Sequence, residues 1–358
     1  MRLLVHADGL RIFSAATGGT SMHRIVVIGL GMAVKPHALA LRDLASRVEV
    51  VAGYSPSAER REKFAATWGF PVSGDLDALL ADRSIDTALI LTPPWTHGEL
   101  ATRCAAAGKH VMLEKPIEAT LARAIDTVET CERAGVKLAI VFQHRFRLAS
   151  LKLAELIAAG RLGRLVSCSA SVRWWRGPDY FAQPGRGMKA RDGGGVLLTQ
   201  AIHTLDLFLS LAGPVDSLSA FHLNSGLRKI DTEDVAAASV RFASGAIGSI
   251  DCTSTAFPGY PERIELAGDR GSAVLETEKL KVQLMDGTVI EAGSGGGGGG
   301  GADPMAFDHA ANTRLLADFL DAIDQDRAPA THGRSALHVH RLIAAMLESD
   351  GRLVQLGG

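Results

Sequence analysis

From Arg24 onward the chain alternates short, fully apolar runs with longer amphipathic stretches, and that alternation leaves few ways to fold. The apolar runs Ile25–Ile28, Val48–Ala52, Thr87–Leu91, His110–Leu113 and Leu138–Phe142 have the length of strands. Between them, Pro36–Ser46, Ser57–Trp68, Glu99–Ala107 and Leu121–Ala134 have helical periodicity, the last bounded by the cap residues Thr120 and Gly135. Strands without a polar face must be covered on both sides. Helix-length connections between them join parallel neighbours. An α/β domain built on a parallel sheet is expected over residues 22–143.

After Gln143 the pattern changes. A helix over Ser150–Ala159 ends at Gly160, a strand runs from Leu165 to Trp175, and a Gly/Pro/Arg-rich loop leads to a helix from Val196 to Leu211. From Val215 to Val289 successive strands are separated by turn signals at 243–245, 268–271 and 286–287. Two helices, Asp308–Gln325 and Arg334–Glu348, finish the chain. Residues 144–358 therefore read as an α+β domain with a large, mostly antiparallel sheet, open on one face, and the final helices are free to pack back on the first domain. The unbroken glycine run Gly295–Gly301 reads as a flexible loop. Residues 1–21 carry Arg2, His6, Asp8 and Arg11 without a sustained apolar core, a poor signal peptide. Met22, directly before the first strand, is the expected native start, with 1–21 a disordered or mis-assigned leader.

A length of 358 residues suits two domains, and a formal net charge of −1 creates no field that would attract nucleic acid or an anionic membrane. No apolar run reaches the roughly 18 residues of a membrane helix. Cys104, Cys131, Cys168 and Cys252 are widely spaced, so neither a zinc site nor a disulfide framework is expected, and a cytoplasmic location fits. The expected partner is a small molecule, with no metal.

Gly29-Leu30-Gly31-Met32-Ala33 follows the first strand and opens toward a helix. This is the context in which glycine lets a pyrophosphate approach a helix N-terminus. The third position of that fingerprint is Val34, so the motif is imperfect; a turn serving only helix–strand packing is its alternative. After the second strand, where an acidic residue would select NAD by binding the ribose hydroxyls, the chain has Ser55, followed by Arg60 and Arg61. Both NAD and NADP remain open. Ser55 also suits a helix-capping turn with Pro56.

Three further blocks stand in order: Thr92-Pro93-Pro94-Trp95-Thr96-His97, Glu114-Lys115-Pro116, and Gly193-Gly194-Gly195 running through Thr199 and His203 to Asp206. Together with the glycine turn they resemble the glucose–fructose oxidoreductase/inositol dehydrogenase (Gfo/Idh/MocA) family from Met22 to the C-terminus. The resemblance implies an N-terminal Rossmann domain followed by an open-faced sheet domain, with the substrate between them. It implies that Gly29–Ala33, Ser55, Arg60, Thr92, Pro93, His97, Glu114, Lys115 and Arg145 serve the cofactor. Lys115, beside the nicotinamide and before a cis peptide to Pro116, joins His203 and Thr199 as the catalytic set. Arg145, in Gln143-His144-Arg145-Phe146, would help build the junction of cofactor and substrate.

Oxidation of an alcohol carbon requires its hydroxyl proton to reach a base. A partly desolvated lysine beside a positive nicotinamide releases a proton more readily, and histidine titrates near neutrality unaided. Thr199 is a departure, since many dehydrogenases resembled here carry aspartate four residues before the histidine. Residues 199, 203 and 206 read as one helical face, with Asp206 either compensating or forming a salt bridge. Trp174 and Trp175, between Arg173 and Arg176, suit stacking on a sugar or an oligomer interface. The family's sheets often pack face to face, so a homodimer or homotetramer is expected. The leading function is an NAD(P)-dependent dehydrogenase acting on a secondary alcohol of a sugar, sugar derivative or cyclitol. Its rivals are a nicotinamide-dependent lyase or glycosidase with transient oxidation, and a cofactor-binding regulator with reduced catalysis.

Overall fold

A computed structural model describes residues 21–183, 185–293 and 308–356. The leader positions 1–20 and the glycine run Gly295–Gly301 lie outside the described residues. The chain divides at Phe142 into two units. One takes the segment up to Val141 together with His309–Leu337, the other Phe142–Asp308 and His338–Gly358.

In the first unit β1 (His23–Ile28), α1 (Val34–Asp43), β2 (Val48–Tyr54), α2 (Ala58–Trp68), β3 (Val72–Ser73), α3 (Leu76–Ala81), β4 (Thr87–Ile90), α4 (His97–Ala106), β5 (His110–Leu113), α5 (Leu121–Arg133) and β6 (Leu138–Ile140) alternate strand and helix. The six strands are all parallel, in the order β3-β2-β1-β4-β5-β6. The apolar strand residues are buried nearly without exception, as double-sided coverage requires. Thr120 caps α5 by accepting the Arg123 amide, and Ser57 caps α2 by accepting that of Arg60. The strand order reverses at β1, so the crevice beyond the C-terminal ends of β1 and β4 is the topological switch point, where open α/β sheets bind ligands.

The second unit adds α6 (Leu148–Ala158), β7 (Leu165–Arg173), the short helices α7 (Pro178–Phe181) and α8 (Lys189–Asp192), a π turn at Leu197–Ala201 and α9 (Ile202–Ala212). Strands β8 (Val215–Leu223), β9 (Val235–Phe242), β10 (Ile247–Thr253), β11 (Arg263–Gly268), β12 (Gly271–Glu276), β13 (Lys279–Leu284) and β14 (Val289–Ala292) follow. Helices α10 (Ala310–Asp324) and α11 (Gly333–Ser349) and strand β15 (Val354–Gln355) close the chain. The sheet has nine strands, β14-β13-β12-β11-β7-β10-β9-β8-β15, antiparallel except for the pair β7/β10. Strand β9 alternates strictly: Ala236, Ala238, Val240 and Phe242 face the core, and Ala237, Ser239 and Arg241 face outward.

The stretch Lys189–Ala212 is long and apolar enough to span a bilayer by composition, but 89% of its apolar window is buried inside the protein. Its later part, from Val196 to Ala212, is core of the second unit.

Candidate active site

The glycine turn expected to serve a nucleotide stands at the end of β1. Gly29 takes φ +100°, and a Cβ there would lie 2.7 Å from Thr92 Cγ2 and 2.8 Å from the Leu91 carbonyl carbon. Only glycine lets the loops after β1 and β4 touch at the switch point. Gly31 differs: its φ is ordinary and a Cβ would meet no atom within 4 Å. No protein neighbour demands a glycine there, which fits a cradle that a ligand's backbone approach must enter. Ala33 caps α1 without a side-chain bond, and the first turn carries no acidic residue. No side chain competes for this helix end, although the Val34 amide donates to the Gly31 carbonyl at 3.3 Å and Pro36 has no N–H to offer. Gly31→Val is expected to leave thermal stability unchanged while weakening NADH binding at least about tenfold, ~1.4 kcal/mol. Fluorescence titration checks this, and equal affinity would remove the cradle from Gly31.

Leu30 is buried against Gly53, while Met32 and Pro93 are exposed and Ala33 and Thr92 half-buried. Ser55 is enclosed: its Oγ accepts the Ser57 amide, and its carbonyl accepts Arg61 Nη1 at 2.6 Å. That is the turn role expected of Ser55 beside Pro56. Arg60 lies exposed on the first turn of α2.

His97 is fully buried. Its Nδ1 lies 2.8 Å from the Pro116 carbonyl and its Nε2 2.8 Å from that of Thr92. Burial pulls its pKa below the ordinary value, so the neutral ring donates to one of the two carbonyls. The expected cofactor contact is therefore corrected: His97 ties the loop after β4 to the loop after β5, and solvent does not reach it.

The residues after β5 are differently placed. Glu114 and Lys115 are half-buried, and the Lys115–Pro116 peptide is cis, as the resemblance implied. Glu114 Oε1 lies 2.9 Å from His37 Nε2 on α1, and its Oε2 accepts the Lys115 amide at 3.0 Å. Burial pushes this carboxyl's pKa up, but the His37 hydrogen bond and the charges of His37 and Lys115 outweigh it and hold the group below the usual carboxylate range. Lys115 thus follows a fixed, ionised carboxylate.

In the second unit, Thr199 lies in the π turn Leu197–Ala201, and His203 and Asp206 follow on α9, both reaching the turn Gln143–Phe146. The π turn Leu197–Ala201 fits an extra residue into the helix, as such turns do at functional sites, and shifts its phase. Thr199 Oγ1 donates to the Gly195 carbonyl at 2.7 Å. His203 stacks on His144, and Asp206 accepts Arg145 Nε at 2.6 Å and Nη2 on its other oxygen. Burial raises the Asp206 pKa despite Arg145. Removing one partner of such a pair typically costs about 3–5 kcal/mol. The guanidinium edge of Arg145 engaged by Asp206 is closed to a ligand.

The last glycine of the triplet, Gly195, is explained by Glu233, which sequence reasoning missed. A Cβ on Gly195 would lie 1.8 Å from the Glu233 carbonyl oxygen. The Glu233 carboxylate accepts the amides of Gly195 and Leu197 at 3.0 and 3.1 Å, capping the helix that bears His203. The acidic run Asp231–Asp234 amid strands was its only signal.

Trp174 is 6% exposed and Arg176 lies over its ring at 4.8 Å. It has no face for a sugar, so its expected substrate contact is corrected. Trp175 is half-buried, with Arg228 over its ring at 4.9 Å and Phe257 edge-on at 5.5 Å. Arg176 and Arg228 are spent on these stacks. Among the described residues no group of three His, Cys, Asp or Glu side chains is placed to hold a metal.

The order of these blocks on this pair of folds matches known proteins. Residues 23–142 match the profile described as "Oxidoreductase family, NAD-binding Rossmann fold", and residues 150–274 match "GFO/IDH/MocA C-terminal domain". An uncharacterized oxidoreductase of Synechocystis sp. is 30% identical over 89% of this chain and 91% of its own length. The chain belongs to the Gfo/Idh/MocA oxidoreductase family. A relative in that family, the myo-inositol 2-dehydrogenase of Thermotoga maritima, is 30% identical over 69% of this chain and 73% of its own. The WlbA dehydrogenase of Bordetella pertussis, solved with NADH and UDP-GlcNAcA, superposes with a TM-score of 0.79 at 27% identity, covering 94% of this chain and 99% of that one. The first unit is accordingly an NAD-binding Rossmann domain, and the protein is an oxidoreductase.

Proposed function

We propose that this oxidoreductase interconverts a secondary alcohol and a ketone on a sugar, sugar derivative or cyclitol, using NAD. The observation that carries the reading is the placement of Lys115 at the C-terminal end of β5, in the same parallel sheet whose switch point bears the Gly29–Ala33 cradle. Bound NAD supplies the hydride acceptor. The protein supplies the rest: Lys115 hydrogen-bonds the reacting oxygen through its ammonium, and a ring nitrogen of His203 accepts the hydroxyl proton. Thr199 has committed its hydroxyl hydrogen to Gly195, so towards a substrate it can only accept. The names of the inositol dehydrogenase and of the sugar-nucleotide complex support the substrate class. NADH and NADPH titrations followed by a sugar and polyol screen test the reading. Absence of binding by either cofactor, or cofactor binding without turnover of any polyol, would overturn it.

We also propose assembly into a homodimer or homotetramer through the outward face of the nine-stranded sheet. Its centre is small, with Ser169, Ser239 and Ser249 in register, and Phe221, Leu223 and Ile247 are exposed. Light scattering should give a multiple of the chain mass, and Phe221→Lys with Ile247→Lys should give the single chain. A monomeric parent refutes this. Burial pushes the Cys104 and Cys131 thiols up to about 12, which keeps them protonated and unreactive and agrees with a cytoplasmic placement.

A further inference from the structure

His203 rests on a set of contacts that the chemistry above does not use. Its ring stacks on that of His144, with centroids 4.9 Å and planes 28° apart, and meets Phe142 edge-on at 6.1 Å. His144 lies in the turn Gln143–Phe146, and its Nε2 is 2.8 Å from Arg147 Nη2. Arg147 is buried in turn: Nη1 donates to Glu262 Oε1 at 2.7 Å and to the Thr277 carbonyl at 3.3 Å, and Nε faces Glu278 Oε1 at 3.8 Å.

Donor and acceptor chemistry fixes the proton on His144. A guanidinium has five N–H donors, no acceptor, and stays charged in proteins. The His144 Nε2 facing it must therefore be the acceptor, so the ring carries its single proton on Nδ1 and is neutral. A second proton would set N–H against N–H beside a buried cation. The neighbouring Arg145 and Asp206 are paired with each other and add little net charge. A cationic ring over a neutral one is attracted, whereas two cationic rings repel.

We propose that His144 is a positioning residue for His203: its neutral ring, fixed as the Nδ1–H tautomer by Arg147, sets the plane of the His203 ring and accommodates its charge. The proposal rests on the reading that His203 accepts the substrate proton.

Two measurements on the full chain test it. In the ¹⁵N-histidine-labelled protein, the His144 ring, assigned by its loss in His144→Phe, should show a bare Nε2 and a protonated Nδ1. An Nε2–H tautomer, or a doubly protonated ring at neutral pH, overturns the proposal without reference to activity. In steady-state kinetics, His144→Ala should lower kcat about tenfold with KM and NADH affinity changed less than about twofold. His144→Phe, which keeps a stacking ring, should recover part of the loss. If both variants keep the parent kcat while His203→Ala is inactive, the positioning role is overturned and the oxidoreductase reading stands. If His203→Ala stays active, that reading fails, and the tautomer measurement still decides the state of His144.

Discussion

Lys115→Met should lower turnover by about 10²–10⁴ while leaving the fold and NADH affinity nearly intact. Methionine reproduces the length and apolar stem of lysine, so packing at a half-buried position changes little. What is lost is the ammonium. In the proposed reaction it donates to the reacting oxygen, and it follows the Glu114 carboxylate, whose ionised form His37 stabilises. The carboxylate persists in the variant, because its bonds to His37 and to the residue-115 amide do not involve the lysine side chain. The defect should therefore fall on kcat, with the NADH dissociation constant within about threefold of the parent. Retention of more than about a tenth of the activity would take Lys115 out of the chemistry.

Much of the first unit was legible because its strands are apolar on both faces. Five strands and the helices between them stand within a few residues of where periodicity placed them. The strand Val72–Ser73 and the helix Leu76–Ala81 went unread, being too short to display a period. The second unit was legible as alternating strands but not at its helix. Nothing in the residue types around Leu197–Ala201 encodes a π turn, and the Glu233 carboxylate that caps this helix comes from 38 positions beyond Gly195.

Side-chain roles followed the same division. The glycine turn and the Glu114-Lys115-Pro116 block are local, and their places in the fold follow from the strand ends they occupy. Trp174 and His97 are the residue types a ligand site uses, and burial alone decides against them. Trp174 is covered by Arg176, and His97 is bonded to two carbonyls that are not its sequence neighbours. His144 and Arg147 carried no signal at all, because a hydrogen bond between residues three apart and a stack across 59 positions are products of the tertiary fold.

His203→Ala should be as damaging as the loss of Lys115, again about 10²–10⁴ in kcat, and for a separable reason. It removes the proposed proton acceptor, so the limb of the pH–rate profile near neutrality should disappear with it. Thr199→Val is the matched control on the same helical segment. It keeps the β-branched shape and loses one hydroxyl, whose hydrogen is already bonded to the Gly195 carbonyl. Loss of such a bond is worth about 0.5–1.5 kcal/mol, a two- to tenfold effect at most. The neutral limb should survive in Thr199→Val, because the titrating ring and its stack on His144 remain. The two variants therefore differ in the shape of the profile as well as its height. Equal impairment, or a neutral limb retained in His203→Ala, would move the proton acceptor to another group and leave His203 as a packed interior ring.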